Sequence, residues 1–269
     1  MTREPPPDTG PPPAVDLRLA SAWLTRHGLN DARPTPLLAS RLAVREGARI
    51  ARAILLAVLI IASALAATFV FGGGPYSPWP LLALVVLLAG LLLAQSLLDR
   101  WVRRVDRRAG ATLSRRAAHP IQPGWRVVLG RPYAVFTAVT FAGAMALTGG
   151  ALAVPDPTVR QLAVIVLVAL LGGAAINAVQ LRHLLRHPVV AEDEESLTAD
   201  VIMRVEDARE LTTPSVQWSL PMVLLIGVAP GWWGAAAFAY VILGAVAFVV
   251  LHFKMPSSVT VARQAMSLR

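Results

Sequence analysis

The chain has 269 residues, 55% of them apolar and 15% charged, with no cysteine and a mean hydropathy of +0.58. Ordinary soluble domains carry roughly 25% charged residues, so this composition excludes a conventional water-soluble globule. The missing cysteine excludes a disulfide framework, a thiol nucleophile and a thiolate metal site. The net charge of +9 is the balance of twenty-four arginines and one lysine against sixteen carboxylates. With so much Ala, Gly, Pro and Val, that bias suggests a GC-rich bacterial genome.

Residues 1–14 hold two triple-proline runs, Pro5–Pro7 and Pro11–Pro13, and read as a disordered tail. Residues 15–52 read as cytoplasmic amphipathic helices. The first is ended by Gly28 and the prolines Pro34 and Pro36; the second starts near Pro36 and runs without a breaker into the first apolar block. Apolar blocks follow at 53–71, 80–98, 133–154, 162–179, 216–229 and 232–252. A helix of about 20 apolar residues crosses a hydrocarbon core of about 30 Å. The block at 216–229 is short for that task.

Basic residues divide unevenly among the segments between these blocks. The part up to Arg52 holds eight, the 99–131 loop nine, the 182–214 loop four and the 253–269 tail three, whereas the segments at 72–77, 155–161 and 230–231 hold only Arg160. Cytoplasmic segments collect Lys and Arg. The split therefore predicts an all-α, polytopic protein with six transmembrane helices (residues 53–252) as three hairpins, both termini cytoplasmic, in the cell membrane. Gly and Pro supply the turn chemistry of all three outer connections.

Two arginine sets have helical spacing: Arg41, Arg45, Arg49 and Arg52 before the first span, and Arg100, Arg103, Arg104, Arg107 and Arg108 after the second. Such residues sit at phosphate level beside an anionic inner leaflet, or pair with an acidic loop. Nucleic acid is excluded as a partner, because no aromatic interleaving or binding fold accompanies the charge. The 182–214 loop is the acidic one, with eight carboxylates against four arginines. Within it, Glu194, Leu197, Val201, Val205 and Asp207 belong to an amphipathic helix that Pro214 should stop. Charge arithmetic predicts that its acids lie against arginines of the 99–131 loop, with Leu197, Val201 and Val205 on the bundle base. The rival expectation is an outward acidic surface that docks a cytoplasmic protein.

Chemistry-bearing patterns are sparse. No ionisable residue falls in the middle of a block, and no catalytic set is visible, so the chain does not read as an enzyme. His183 and His187 are four apart, a metal-ligand spacing, but lie between Arg182 and Arg186 without the glutamate of a zinc motif; no metal and no cofactor are predicted. Small-residue stripes at Ala138, Ala142, Ala146 and Gly150, and at Ala169, Gly173 and Asn177, predict helix packing, with a homo-oligomer as the alternative.

The hairpin pattern and the 191–209 segment resemble uncharacterised six-span bacterial inner-membrane proteins, some of them reminiscent of the membrane subunits of ATP-driven exporters. That resemblance implies a non-catalytic, permease-like subunit of a transport system working with a cytoplasmic partner, an ATPase for example. The other expectation is a membrane anchor or scaffold that recruits a cytoplasmic protein without transport.

Overall fold

The computed structural model describes residues 14–29, 32–71, 79–111, 117–119, 129–186, 189–191 and 194–261. Its elements in chain order are α1 (Ala14–Arg26), α2 (Pro36–Phe71), α3 (Trp79–Ala111), β1 (Ala117–His119), α4 (Arg131–Ala151), α5 (Pro157–Arg186), β2 (Val189–Ala191), α6 (Glu194–Ile226) and α7 (Trp233–Lys254). The ordered elements of the described residues are all helices apart from one short antiparallel ladder. In it Ala117 pairs with Ala191 and His119 with Val189, so the two large polar loops are joined through backbone.

Sequence signals account for the helix boundaries. Pro36, Pro80, Pro132 and Pro157 fall in first turns, where the missing N–H is no loss. Gly28 (φ 68°) takes the left-handed conformation just beyond α1, and Gly231 (φ 89°) does so in the turn between α6 and α7. The Asp156 carboxylate accepts from the Thr158 amide at 2.8 Å and caps α5. The outer turn expected at 72–75 lies outside the described residues.

Among the described residues five helices are long and apolar enough to cross a membrane, and they lie within α2, α3, α4, α5 and α7. The apolar half of α6, the sixth predicted span, is not among them. It is instead the most enclosed part of the bundle: Met222, Val223, Leu225 and Ile226 are buried in the central cluster with Leu59, Leu84, Leu162 and Val166. Apart from Leu224, which is exposed, protein covers most of the described side chains of this half, so its length need not match a bilayer.

Pro214 does not end the acidic helix, contrary to expectation. α6 continues through Pro214 and Pro221 as one helix of 33 residues. A proline removes one helical hydrogen bond and usually kinks or breaks a soluble helix, whereas neighbouring helices tolerate it in an enclosed bundle.

The small-residue stripes divide. Ala169 and Asn177 of α5 are buried as expected. On α4, Ala138, Ala142, Ala146 and Gly150 are exposed, and the packed face carries Tyr133, Thr140, Ala144 and Thr148 instead. Helix α7 keeps Phe238, Leu243, Val246 and Phe253 exposed and joins the bundle along a seam to α6 and α4.

Candidate functional site

At one end of the bundle the polar halves of α2, α3 and α6 lie side by side, with α1 and the residues after α7 wrapped around them. Apolar contacts set this arrangement. Met203 of α6 is buried with Ala20, Leu24, Leu38 and Ala39, while Val201 and Ile202 pack on Trp23, Leu29 and Val259. Ala208 fits among Leu129, Tyr133, Leu181 and Met255. Val205 is fully buried. The predicted stripe through Val201 and Val205 therefore does face the protein. The side chains of Glu194 and Leu197 lie outside the described residues.

Charge then fills the gap between the three helices. Arg41 donates to Asp106 of α3 at 3.0 Å and to Asp200 of α6 at 2.8 Å. Arg45 holds Asp207 through its Nε–Nη2 edge at 2.9 and 2.8 Å, and reaches Asp106 through Nη1 and Nη2 at 3.2 and 3.1 Å. Arg52 bridges Asp99 and Glu210, both at 3.1 Å. Arg49, more than half exposed, pairs with Glu210 and Glu46 at the rim. Within the bundle, the Gln180 amide of α5 donates to Asp99, whose side chain is 4% exposed. A bidentate guanidinium fits a carboxylate better than a lysine would.

The helix directions of this network are consistent. Helices α2 and α6 run parallel, so Arg41, Arg45 and Arg52 meet Asp200, Asp207 and Glu210 in ascending order. Helix α3 runs the other way, so Asp106 meets the first two arginines and Asp99 the last. Burial alone would raise the Asp207 carboxyl; Arg45, then Arg41 and Arg52, outweigh it and hold it below the usual carboxylate range.

A second contact pins α1. Both ring nitrogens of His27 are engaged, Nδ1 with the Trp23 carbonyl at 2.7 Å and Nε2 with Glu206 at 2.9 Å. The Trp23 indole and the Ser258 hydroxyl also reach Glu206, each at 3.4 Å. Glu206 thus ties the N-terminal helix and the segment after α7 to α6.

The partners differ from the expected ones: among the described residues, Asp200, Asp207 and Glu210 of α6 lie against Arg41, Arg45, Arg49 and Arg52 of α2. The reason lies on α3. Its inward face buries Leu84, Leu88, Leu91, Gln95 and Asp99, so acids rather than arginines point to the centre. Arg100 and Arg104 are exposed on the other face, Arg103 lies close enough to Asp99 to act on its charge, and the Arg107 and Arg108 side chains lie outside the described residues. Asp207 is likewise engaged within the chain and is no free docking acid. Among the described residues no group of His, Asp or Glu has the arrangement of a metal site.

Asp99, Asp106 and His27 are not among the candidates the sequence offers, and Asp200, Glu206 and Glu210 enter only as acids counted in the 182–214 loop. A signal for them exists: Asp99 and Asp106 are seven apart, as are Asp200 and Asp207, with Glu210 three further on. Those spacings each put acids on one helical face, matching the arginine face of α2.

Five helices long and apolar enough to cross a membrane, beside a charged end, are the features of a helical membrane protein. No protein-family model matches the chain, and no curated protein or solved structure shows significant similarity to it.

Proposed function

We propose that the protein is a non-catalytic membrane subunit, permease-like in organisation, whose charged stalk connects a cytoplasmic partner to the spans. The carrying observation is continuity: α2, α3 and α6 each run as one helix from the charged end into the apolar bundle, and ion pairs lock them to one another there. At 1.5 Å per residue, the polar half of α2 alone is roughly 25 Å long. A push on this end moves spans rather than loops. In this reading the apolar half of α6 is a sixth span sheltered by the others, both termini are cytoplasmic, and the protein resides in the cell membrane. The engaged acids of α6 favour this subunit over a scaffold that docks partners through an acidic face.

Two measurements test this. Reporter fusions after residues 73, 156 and 230 should read as outside, and fusions after 111, 195 and 258 as inside; an outside signal at 195 or 258 contradicts the six-span topology. Purification in mild detergent should retain a cytoplasmic protein, an ATPase in the permease-like reading, at fixed stoichiometry. Deletion of residues 1–29, which removes α1 from the stalk, should release it. A chain that purifies alone from native membranes under every mild condition contradicts the subunit.

A further inference from the structure

The two arginine sets have different surroundings. Along the outward face of α3, Leu82, Val86, Leu93 and Leu97 are exposed at helical spacing, and the face then changes abruptly to Arg100, Trp101 and Arg104. Arg41, Arg45 and Arg52 of α2 turn inward to carboxylates, whereas Arg100 and Arg104 have no ion-pair partner among the described residues. Trp101 leans over α2 at Gly47, where an added Cβ would stand 3.8 Å from the indole Cη2. Ile50 and Ile54 follow Gly47 on the exposed face of α2, three and seven residues on, at the level where Leu97 ends the aliphatic face of α3. The result is a glycine notch roofed by an indole, with two guanidiniums on one side and aliphatic side chains leading into the bilayer.

We propose that Arg100, Trp101 and Arg104, with the notch at Gly47, bind the headgroup of an anionic phospholipid whose acyl chain runs along Leu97, Ile50 and Ile54. The occupant follows from the surroundings. Aliphatic side chains exposed on a span face lipid tails, tryptophan favours the headgroup level, and two exposed guanidiniums at that level select negative charge. The site rests on α2 and α3 crossing the bilayer and is independent of any subunit partner.

The test uses the full chain, delipidated in neutral detergent and titrated with phosphatidylglycerol or phosphatidylcholine, with bound lipid counted by native mass spectrometry. The wild-type protein should retain phosphatidylglycerol selectively. At about fivefold per basic residue at an anionic surface, R100Q/R104Q should weaken that binding roughly 25-fold, while R18Q on exposed α1 should leave it unchanged. G47L keeps every charge and adds a better helix former at an exposed position, yet fills the notch, and should also weaken binding. Equal retention of the two lipids by the wild type, or unchanged binding by R100Q/R104Q, overturns the proposal. Wild-type affinity in G47L beside a loss in R100Q/R104Q also overturns it, since diffuse charge attraction would then suffice.

Discussion

Replacing Arg45 with alanine should unfold the polar end of the bundle while leaving the apolar spans inserted. Arg45 is 11% exposed and satisfies two carboxylates, Asp106 and Asp207. Removing one partner of a buried pair leaves an uncompensated charge and costs about 3–5 kcal/mol; because Asp106 and Asp207 retain some solvent contact, about 3 kcal/mol is expected. R49A is the contrast: that side chain is 56% exposed, and exposed pairs contribute about 0–1 kcal/mol. Thermal unfolding in detergent, with limited proteolysis at the polar end, separates the two variants; equal effects would contradict the burial argument. A pH signature accompanies it. Asp207 is held below its unfolded carboxyl value, so its stabilisation is complete above about pH 4 and is lost as pH falls through the depressed value. In R45A burial meets less opposition, and acid sensitivity should move to higher pH.

The second large effect is expected at Gly234, where α6 and α7 meet beyond their connecting turn. A Cβ there would stand 2.9 Å from the Gly227 backbone oxygen, and one at Gly227 would stand 3.0 Å from the Ala237 Cβ. Both obstacles are fixed, so G234A must spread the hairpin. Overpacking of this kind costs about 1–3 kcal/mol. Gly244 has a nominally shorter contact, 2.7 Å to Leu220 Cδ2, yet G244A should cost less because a leucine tip can rotate away. At Gly149 and Gly90 an added Cβ meets nothing within 4 Å, so alanine should be neutral or stabilising by about 0.5–1 kcal/mol through helix propensity. The folded fraction recovered in detergent, G234A lowest and G90A highest, checks the series.

Much of this architecture is legible in the residues. Periodicity and the prolines locate α1, the unbroken α2 and the apolar blocks, because those signals are local. What sequence misjudges is the central element. Pro214 and the polar residues before it suggest a helix that stops at a membrane surface, yet tertiary packing carries α6 through both prolines. Net charge misleads about the clasp for a related reason. Summed over a segment, the 99–131 loop is strongly basic and invites pairing with the acidic helix. What decides the pairing is which face of α3 each charge occupies, and Asp99 and Asp106 share the face of Leu84 and Leu91 while Arg100 and Arg104 share that of Leu97. The His27–Glu206 contact, 179 residues apart in the chain, leaves no local trace at all.

The central claim is that α2 and α6 are clasped side by side at the charged end. The absence of native cysteine allows a direct measurement in membranes with a short bis-thiol reagent on R49C/E210C, rim positions whose replacement keeps the Arg41 and Arg45 pairs. Efficient linking of residues 49 and 210, with none in R104C/E210C, is the predicted result. Linking through 104 and none through 49 would contradict the clasp and place the acidic helix against the outward arginines of α3.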